Sequence, residues 1–249
     1  MNIISLGSNC EVSEMIMKHL LNMLPNSKFY NHLFAWTSVP IKGINHFFKN
    51  PSFLDFNNFR YVYRIFNEQD GNINKKADYC DFNELVEDIR LSEDTHSIHI
   101  DVSYSFEDIY TWTHGIVMSI SDFNDNNNNI EKYLNDLKNK TTHIIKKTLD
   151  IMENDNVKLF CIKCLKGEYS IQDIIELNTL VLNCSSNNYL LFIVEKDENI
   201  ILDNLNLTNT CIVEAPKLTG HHEAVYSDRY NTDIYYIELF KNAKQMLNM

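Results

Sequence analysis

Apolar and polar residues alternate along this chain with two different periods, and the first change of period comes within its opening residues. Ile3, Ile4 and Leu6 form a short apolar stretch that Gly7 interrupts. Val12, Met15, Ile16, Leu20, Met23 and Leu24 then recur at helical spacing, and Pro25 and Asn26 close the pattern. Ser8 and Glu11 stand three apart, like the N-cap and third helical residue of a capping box. Residues 2–24 are thus expected to form a strand, a glycine turn and a capped helix.

Further along, FYNHLFAW (29–36) is aromatic-rich and bounded by Pro40, and residues 41–48 have the spacing of a short helix. FRYVYRIF (59–66) and SIHIDV (97–102) alternate with period two and read as strands, with a helix at 82–91 between them. NDNNNN (124–129) reads as a polar loop. Leu134, Leu137, Ile144, Ile145, Leu149 and Met152 mark a helix over 130–152. The last third alternates strands at 157–164, 189–196 and 210–215 with helices at 171–182 and 234–246. Apolar strands separated by helices predict an α/β fold with a largely parallel sheet covered on both faces. At 249 residues, with no internal repeat or linker, one domain over 1–249 is expected, at most with an insertion.

Composition narrows the function. The formal charge of -12 repels polyanions, and Lys75-Lys76 and Lys146-Lys147 are isolated pairs, so nucleic acid is not expected as a partner. MNIISLGSN lacks the basic and apolar regions of a signal peptide, and the longest apolar run, YLLFIV (189–194), is strand-sized. A cytoplasmic protein without a membrane span is expected, and Asn206-Leu207-Thr208 is not expected to carry a glycan. The six cysteines are spread as reduced thiols would be. Abundant asparagine, beside six glycines and four prolines, reads as compositional bias rather than function.

The candidate chemistry centres on Cys10. At a helix start following a strand, unpaired N–H groups favour a thiolate. The same donors, with the Gly7-Ser8-Asn9 turn, could receive an oxyanion, and Gly7 allows close approach of a substrate. Glu11 opposes this by raising a thiol's pKa, and a buried, inert cysteine is the bland alternative. A base is needed. His99 and Asp101 share one strand face, so the carboxylate could orient the imidazole, although such a pair is also what a solvated face carries. His221 and His222, with Asp228 nearby, compete; His114 and His32 read as structural. Cys161 and Cys164 form a CxxC, but residues three apart on a strand face opposite sides, so no zinc site is expected. No nucleotide-binding glycine fingerprint follows any strand.

SLGSNCEVSEMIMKHLL followed by FYNHLFAW resembles a bacterial and viral family of unknown function that carries a papain-like cysteine peptidase label. Ser5-Leu6-Gly7 and Cys10 match its turn, and Phe34-Ala35-Trp36 matches its aromatic segment, with alanine in place of aspartate. His99-Ile100-Asp101 corresponds to a mid-chain His-Asp step with one residue intervening, and IYYIELF (234–240) to a closing helix with tyrosine where the family has tryptophan. The resemblance implies a cysteine nucleophile, with Trp36 near the substrate. Papain-type enzymes, however, have an upstream glutamine and no strand running straight into the turn. The local plan here is similar to SGNH-type esterases, with a three-layer, Rossmann-like sheet, and to polysaccharide-biosynthesis acetyltransferases with a Gly-Asn-Cys turn.

Three functions follow as expectations. Cys10 could transfer an acyl group to a sugar or small-molecule acceptor, with acetyl-CoA as co-substrate and no permanently bound cofactor or metal. It could instead hydrolyse amides or peptides, as the family label implies, or belong to a non-catalytic binding protein. Arg60, Arg64, Lys146, Lys147 and Arg229 are scattered candidates for a donor's phosphates.

Overall fold

The computed structural model describes residues 1–6, 10–30, 32–36, 39–55, 57, 59–67, 73–80, 82–92, 95–106, 109–112, 116–120, 130–195, 197, 199–202, 205–215 and 229–248. The chain divides into two compact units: Met1–Pro51 with Glu153–Met249, and the intervening Ser52–Met152.

The first unit is α/β. Its sheet has five strands: β1 (Asn2–Ser5), β2 (Lys28–Phe29), β8 (Lys158–Cys164), β9 (Tyr189–Glu195) and β10 (Thr210–Ala215). All neighbours are parallel, in the order β10-β9-β8-β1-β2. Every residue of β8 and the five central residues of β9 are buried, the near-continuous apolar run that a strand covered on both faces requires.

Register and burial define the two faces. Ile3, Leu159, Cys161, Leu191, Ile193 and Cys211 pack with Val12, Met15, Ile16 and Leu20 of the first helix and Tyr236, Leu239 and Phe240 of the last. That first helix, α1, begins at Cys10–Met15, widens into a π turn at Ile16–Leu20 and ends at Leu21–Met23. Its buried residues Val12, Ile16, Leu20 and Leu24 repeat every four positions. Such a repeat drifts around a 3.6-residue helix, and the wider turn brings it back over the sheet. The last helix is Arg229–Met246.

The opposite face carries Ile4, Phe160, Ile162 and Phe192. Helix α2 (Ile41–Lys49) covers it, with the Phe48 ring centred 5.7 Å from that of Phe160, beside the helix Ile171–Cys184. Ser170 and Asp173 cap that helix reciprocally, Ser170 N–H donating to Asp173 Oδ2 (2.8 Å) and Asp173 N–H to Ser170 Oγ (3.2 Å). The parallel, two-faced sheet expected from the sequence is therefore present.

The second unit departs from that expectation, because its sheet is antiparallel. β3 (Arg60–Asn67) lies between β4 (Ile73–Cys80) and β5 (His96–Phe106), and β5 also pairs with β6 (Ile109–Trp112) and β7 (Ile116–Ser119). Tyr61, Tyr63 and Ile65 oppose Val102, Ile100 and Ile98 across the β3–β5 ladder, and their described side chains are buried. On the other face Arg60 and Arg64 are exposed while Val62 between them is buried. Helix α3 (Phe82–Arg90) buries Leu85, Val86 and Ile89. Helix α4 (Ile130–Glu153) buries Leu134, Leu137, Thr141, Ile145 and Thr148 in one stripe. The sequence reading missed β4, β6 and β7, and residues 124–129 lie outside the described residues.

Candidate functional site

In an open α/β sheet, ligands bind outside the carboxyl ends of the strands, where two neighbouring strands send their connections to opposite faces. In the first unit β1 leads into α1 on one face, while β8 leads into Ile171–Cys184 on the other. Since β1 and β8 are neighbours, the switch point lies between their carboxyl ends. The Leu6 N–H donates to the Cys161 carbonyl (2.8 Å), the last rung before the strands separate. The backbone of Cys10 begins α1 immediately beyond.

Of the sequence-predicted site residues, Gly7, Ser8 and Asn9 lie outside the described residues. Cys10 and Trp36 are described by backbone alone, Cys10 opening α1 and Trp36 closing the 3-10 turn Leu33–Trp36. His99 and Asp101 belong to the second unit, on β5, where His99 is half-buried and opposite Arg64, and Asp101 is opposite Val62. His114, His221, His222 and Asp228 lie outside the described residues. The phosphate candidates are divided between units, with Arg60, Arg64, Lys146 and Lys147 in the second and Arg229 in the first.

The switch point has polar neighbours that sequence reasoning passed over. Ser5 ends β1 on the α1 face; its Oγ is fully buried and has no hydrogen-bond partner among the described residues, a condition shared by Asn2 Nδ2 and Asn45 Oδ1. Lys163 follows Cys161 by two residues on β8, so it faces the same side as Ser5 and Cys161, and it is 3% exposed. His32 follows β2 and is buried, with ring centroids 6.5 Å from Phe29 and 6.3 Å from Phe34. The turn beside it is tied to α1 by the Ser13 hydroxyl, which donates to the Ala35 carbonyl. The signal for Lys163 was a lysine inside the apolar run LFCIKC (159–164).

The three buried thiols of this unit, Cys161, Cys164 and Cys211, are poor nucleophiles. Burial pushes the Cys161 and Cys164 thiols far up, nearby Glu168 and Asp173 adding to the effect at Cys164, and burial raises Cys211 to about 11. Cys161 packs under α1 while Cys164 points to the opposite face, so the CxxC does not converge. Among the described residues no group of three metal-ligating side chains comes together, and no helix is long and apolar enough to cross a membrane. A hollow of about 550 Å³ lined by Met23, Lys241, Lys244, Gln245 and Asn248 lies beside the helix ends, toward the amino edge of the sheet.

No protein-family model matches the chain, and comparison with curated proteins and with solved structures gives no match.

Proposed function

We propose that this chain is a thiol-dependent acyl-transfer enzyme with Cys10 as nucleophile. The observation that carries the reading is the strand order: opposite exits from β1 and β8 create a crevice at the point where the Cys10 helix begins. The thiolate attacks the carbonyl of a thioester or ester donor, acetyl-CoA being the simplest. A C–S bond forms, the donor's leaving group departs with a proton from an imidazolium, and backbone N–H groups hold the oxyanion. A sugar or small-molecule hydroxyl or amine then attacks the acyl-thioenzyme, returns a proton to the imidazole and releases the thiolate. With water as acceptor the same steps give the hydrolase that the peptidase-family resemblance implies.

His32 and His99 compete as the imidazole. His32 belongs to the Cys10 unit and adjoins a turn bonded to α1, which favours it; His99, with Asp101 to orient it, belongs to the second unit. The expected result is a mass gain of one acetyl group on the Cys10 peptide after incubation with acetyl-CoA. Cys10→Ala then abolishes turnover of the acceptor that discharges it, with an unchanged circular dichroism spectrum. Full turnover by Cys10→Ala, or a native Cys10 alkylated only after unfolding, sinks the reading. Comparing His32→Gln with His99→Gln assigns the base to whichever variant loses the greater share of kcat.

A further inference from the structure

We infer that a basic row crossing the second unit's sheet, Lys76 on β4, Arg64 on β3 and His99 on β5, binds the phosphate group of a small ligand. The inference is independent of the acyl-transfer reading. Arg64 stands opposite Lys76 in one ladder and opposite His99 in the other, so the three positions lie abreast on one face. Neighbouring strands are about 4.8 Å apart, so the row spans about 10 Å, the reach of a phosphate or diphosphate. Like charges set directly opposite one another destabilise a sheet. Acids outnumber bases 34 to 22 in this chain, so a carboxylate is the ordinary neighbour for an arginine; here the ladders supply a base on both sides. An anion seated on the row turns that repulsion into attraction. Arg64 and Lys76 carry the attraction, and His99 completes the row.

Two arginines share this face, and they differ. Arg60 donates from Nη1 to the carbonyls of Asn57 (3.0 Å) and Phe59 (2.9 Å). Arg64 is exposed and makes no hydrogen bond or ion pair among the described residues. Val62, two residues before it, and Ser97, diagonal to it on β5, are buried, so the guanidinium emerges among covered neighbours. Such shelter strengthens a charge-assisted hydrogen bond, and the planar guanidinium fork matches phosphate oxygens in pairs, with lysine adding a point charge. Asp101 follows His99 on the same face and is the acid nearest Arg64 in the β3–β5 register, so it competes with a bound anion. The formal charge of -12 repels extended polyanions, which favours a small phosphate or diphosphate ester over a nucleic acid or an anionic membrane.

The test is isothermal titration calorimetry of the full chain with pyrophosphate at low ionic strength. Saturable binding is expected, weakening as salt is added. Arg64→Gln is expected to lower the affinity about tenfold or more, because it removes the bidentate donor. Lys76→Gln should lower it about threefold, the loss of one exposed point charge. Arg60→Gln, whose guanidinium is already held by carbonyls, should leave it nearly unchanged, and Asp101→Asn should tighten it. No saturable binding, or equal affinity in wild type and Arg64→Gln, overturns the inference. Binding to phosphatidylserine vesicles without binding of pyrophosphate would give the row to a membrane surface and overturn the small-ligand assignment.

A second measurement covers the case in which Arg64→Gln does not fold. The chain has four arginines, Arg60, Arg64, Arg90 and Arg229, so their Nε–Hε signals can be followed singly in ¹⁵N-labelled wild-type protein. The Arg64 signal, assigned by its absence from Arg64→Lys, should shift with added pyrophosphate and saturate at the calorimetric midpoint, while that of Arg60 stays in place. An Arg64 signal that does not move overturns the inference.

Discussion

The two edges of the parallel sheet are built differently, although the same strands make both. At the amino edge, asparagine side chains and backbone carbonyls close the ends of the strands. Buried Lys158 donates from Nζ to the carbonyls of Asn154 and Asn156, and burial holds its pKa below the usual lysine value. Its N–H donates to Asn188 Oδ1 (3.1 Å), while Asn188 Nδ2 donates to the Val181 carbonyl (3.3 Å). Asn209, at a φ of 51° that suits asparagine, bonds from Nδ2 to the carbonyls of Ser186 and Asn188, and Asn178 to Thr208 and Thr210. At the carboxyl edge, strands β8 and β9 are joined by Tyr169, but between β1 and β8 stand Ser5, Lys163 and the start of the Cys10 helix. The lysines five residues apart on β8 make the contrast plain. Lys158 donates to the carbonyls of its own loop; Lys163 lies at the other end of the strand, where the topology opens a crevice.

If the amino edge serves stability, breaking it should be costly and chemically silent. Asn188→Ala leaves the Lys158 N–H buried without its partner and removes one of two donors to the Val181 carbonyl, which keeps the Ser185 N–H, so a loss of about 1–3 kcal/mol is expected. The urea midpoint should fall accordingly, while the rate and pH dependence of Cys10 alkylation stay as in wild type. An altered alkylation midpoint in this variant would join the two edges and erase the distinction.

The knitted part of the carboxyl edge should respond more weakly, and with a pH signature. Tyr169 donates its hydroxyl to the Glu195 carbonyl (2.8 Å), and Tyr169→Phe is expected to cost about 1 kcal/mol at neutral pH. Burial first, then Cys164, Asp197, Glu214 and Glu195, raise the Tyr169 pKa to about 12. An unfolded tyrosine ionises near 10, so the wild-type advantage is complete below about pH 10. It then shrinks as pH rises toward about 12, because only the unfolded chain gains by losing the proton. Urea midpoints for the pair at pH 8, 10 and 11 measure this. A difference that stays constant over that range would show that Tyr169 acts through packing alone.

What could be read from the sequence follows the same divide. Strands buried on both faces, such as LFCIKC and YLLFIV, announce themselves as unbroken apolar runs, and their helices show a 3.6 period, so the central strands of the first unit were legible, while the two-residue β2 and the first turn of the last helix were not. The second unit was less so. β4, with INKKADYC, pairs through an antiparallel ladder whose register shifts twice, and neither its polarity nor its irregularity makes a pattern in sequence. Asparagine was read as background composition, yet its side chains close the amino edge, because one amide can satisfy both a donor and an acceptor there. Cys10 was singled out from its turn. Lys163 and Ser5 were not, because their significance lies in the pairing of β1 with β8, across more than 150 intervening residues.

The smallest expected effect comes from an ion pair between the first and last helices. On the same face of the sheet, Asp233 accepts hydrogen bonds from Lys18 and, at 3.3 Å, from His19 Nε2; its side chain is 24% exposed and that of Lys18 48%. The Lys18 hydrogen bond, opposed by slight burial and aided by His19, holds the Asp233 carboxyl below its usual range. A depressed carboxylate stabilises the fold above its unfolded pKa near 3.8, and that contribution disappears as pH falls through the lower folded value. Exposure limits it: Asp233→Asn should cost about 0.2–1 kcal/mol at pH 7, less in high salt, and nothing once wild type is itself protonated. Thermal midpoints of the pair at pH 7, 4 and 2.5, with and without added salt, measure this directly. Alkylation of Cys10 should be the same in both proteins. A shift in its midpoint in Asp233→Asn would mean that the general field of the acidic chain, rather than the groups at the crevice, governs the thiol.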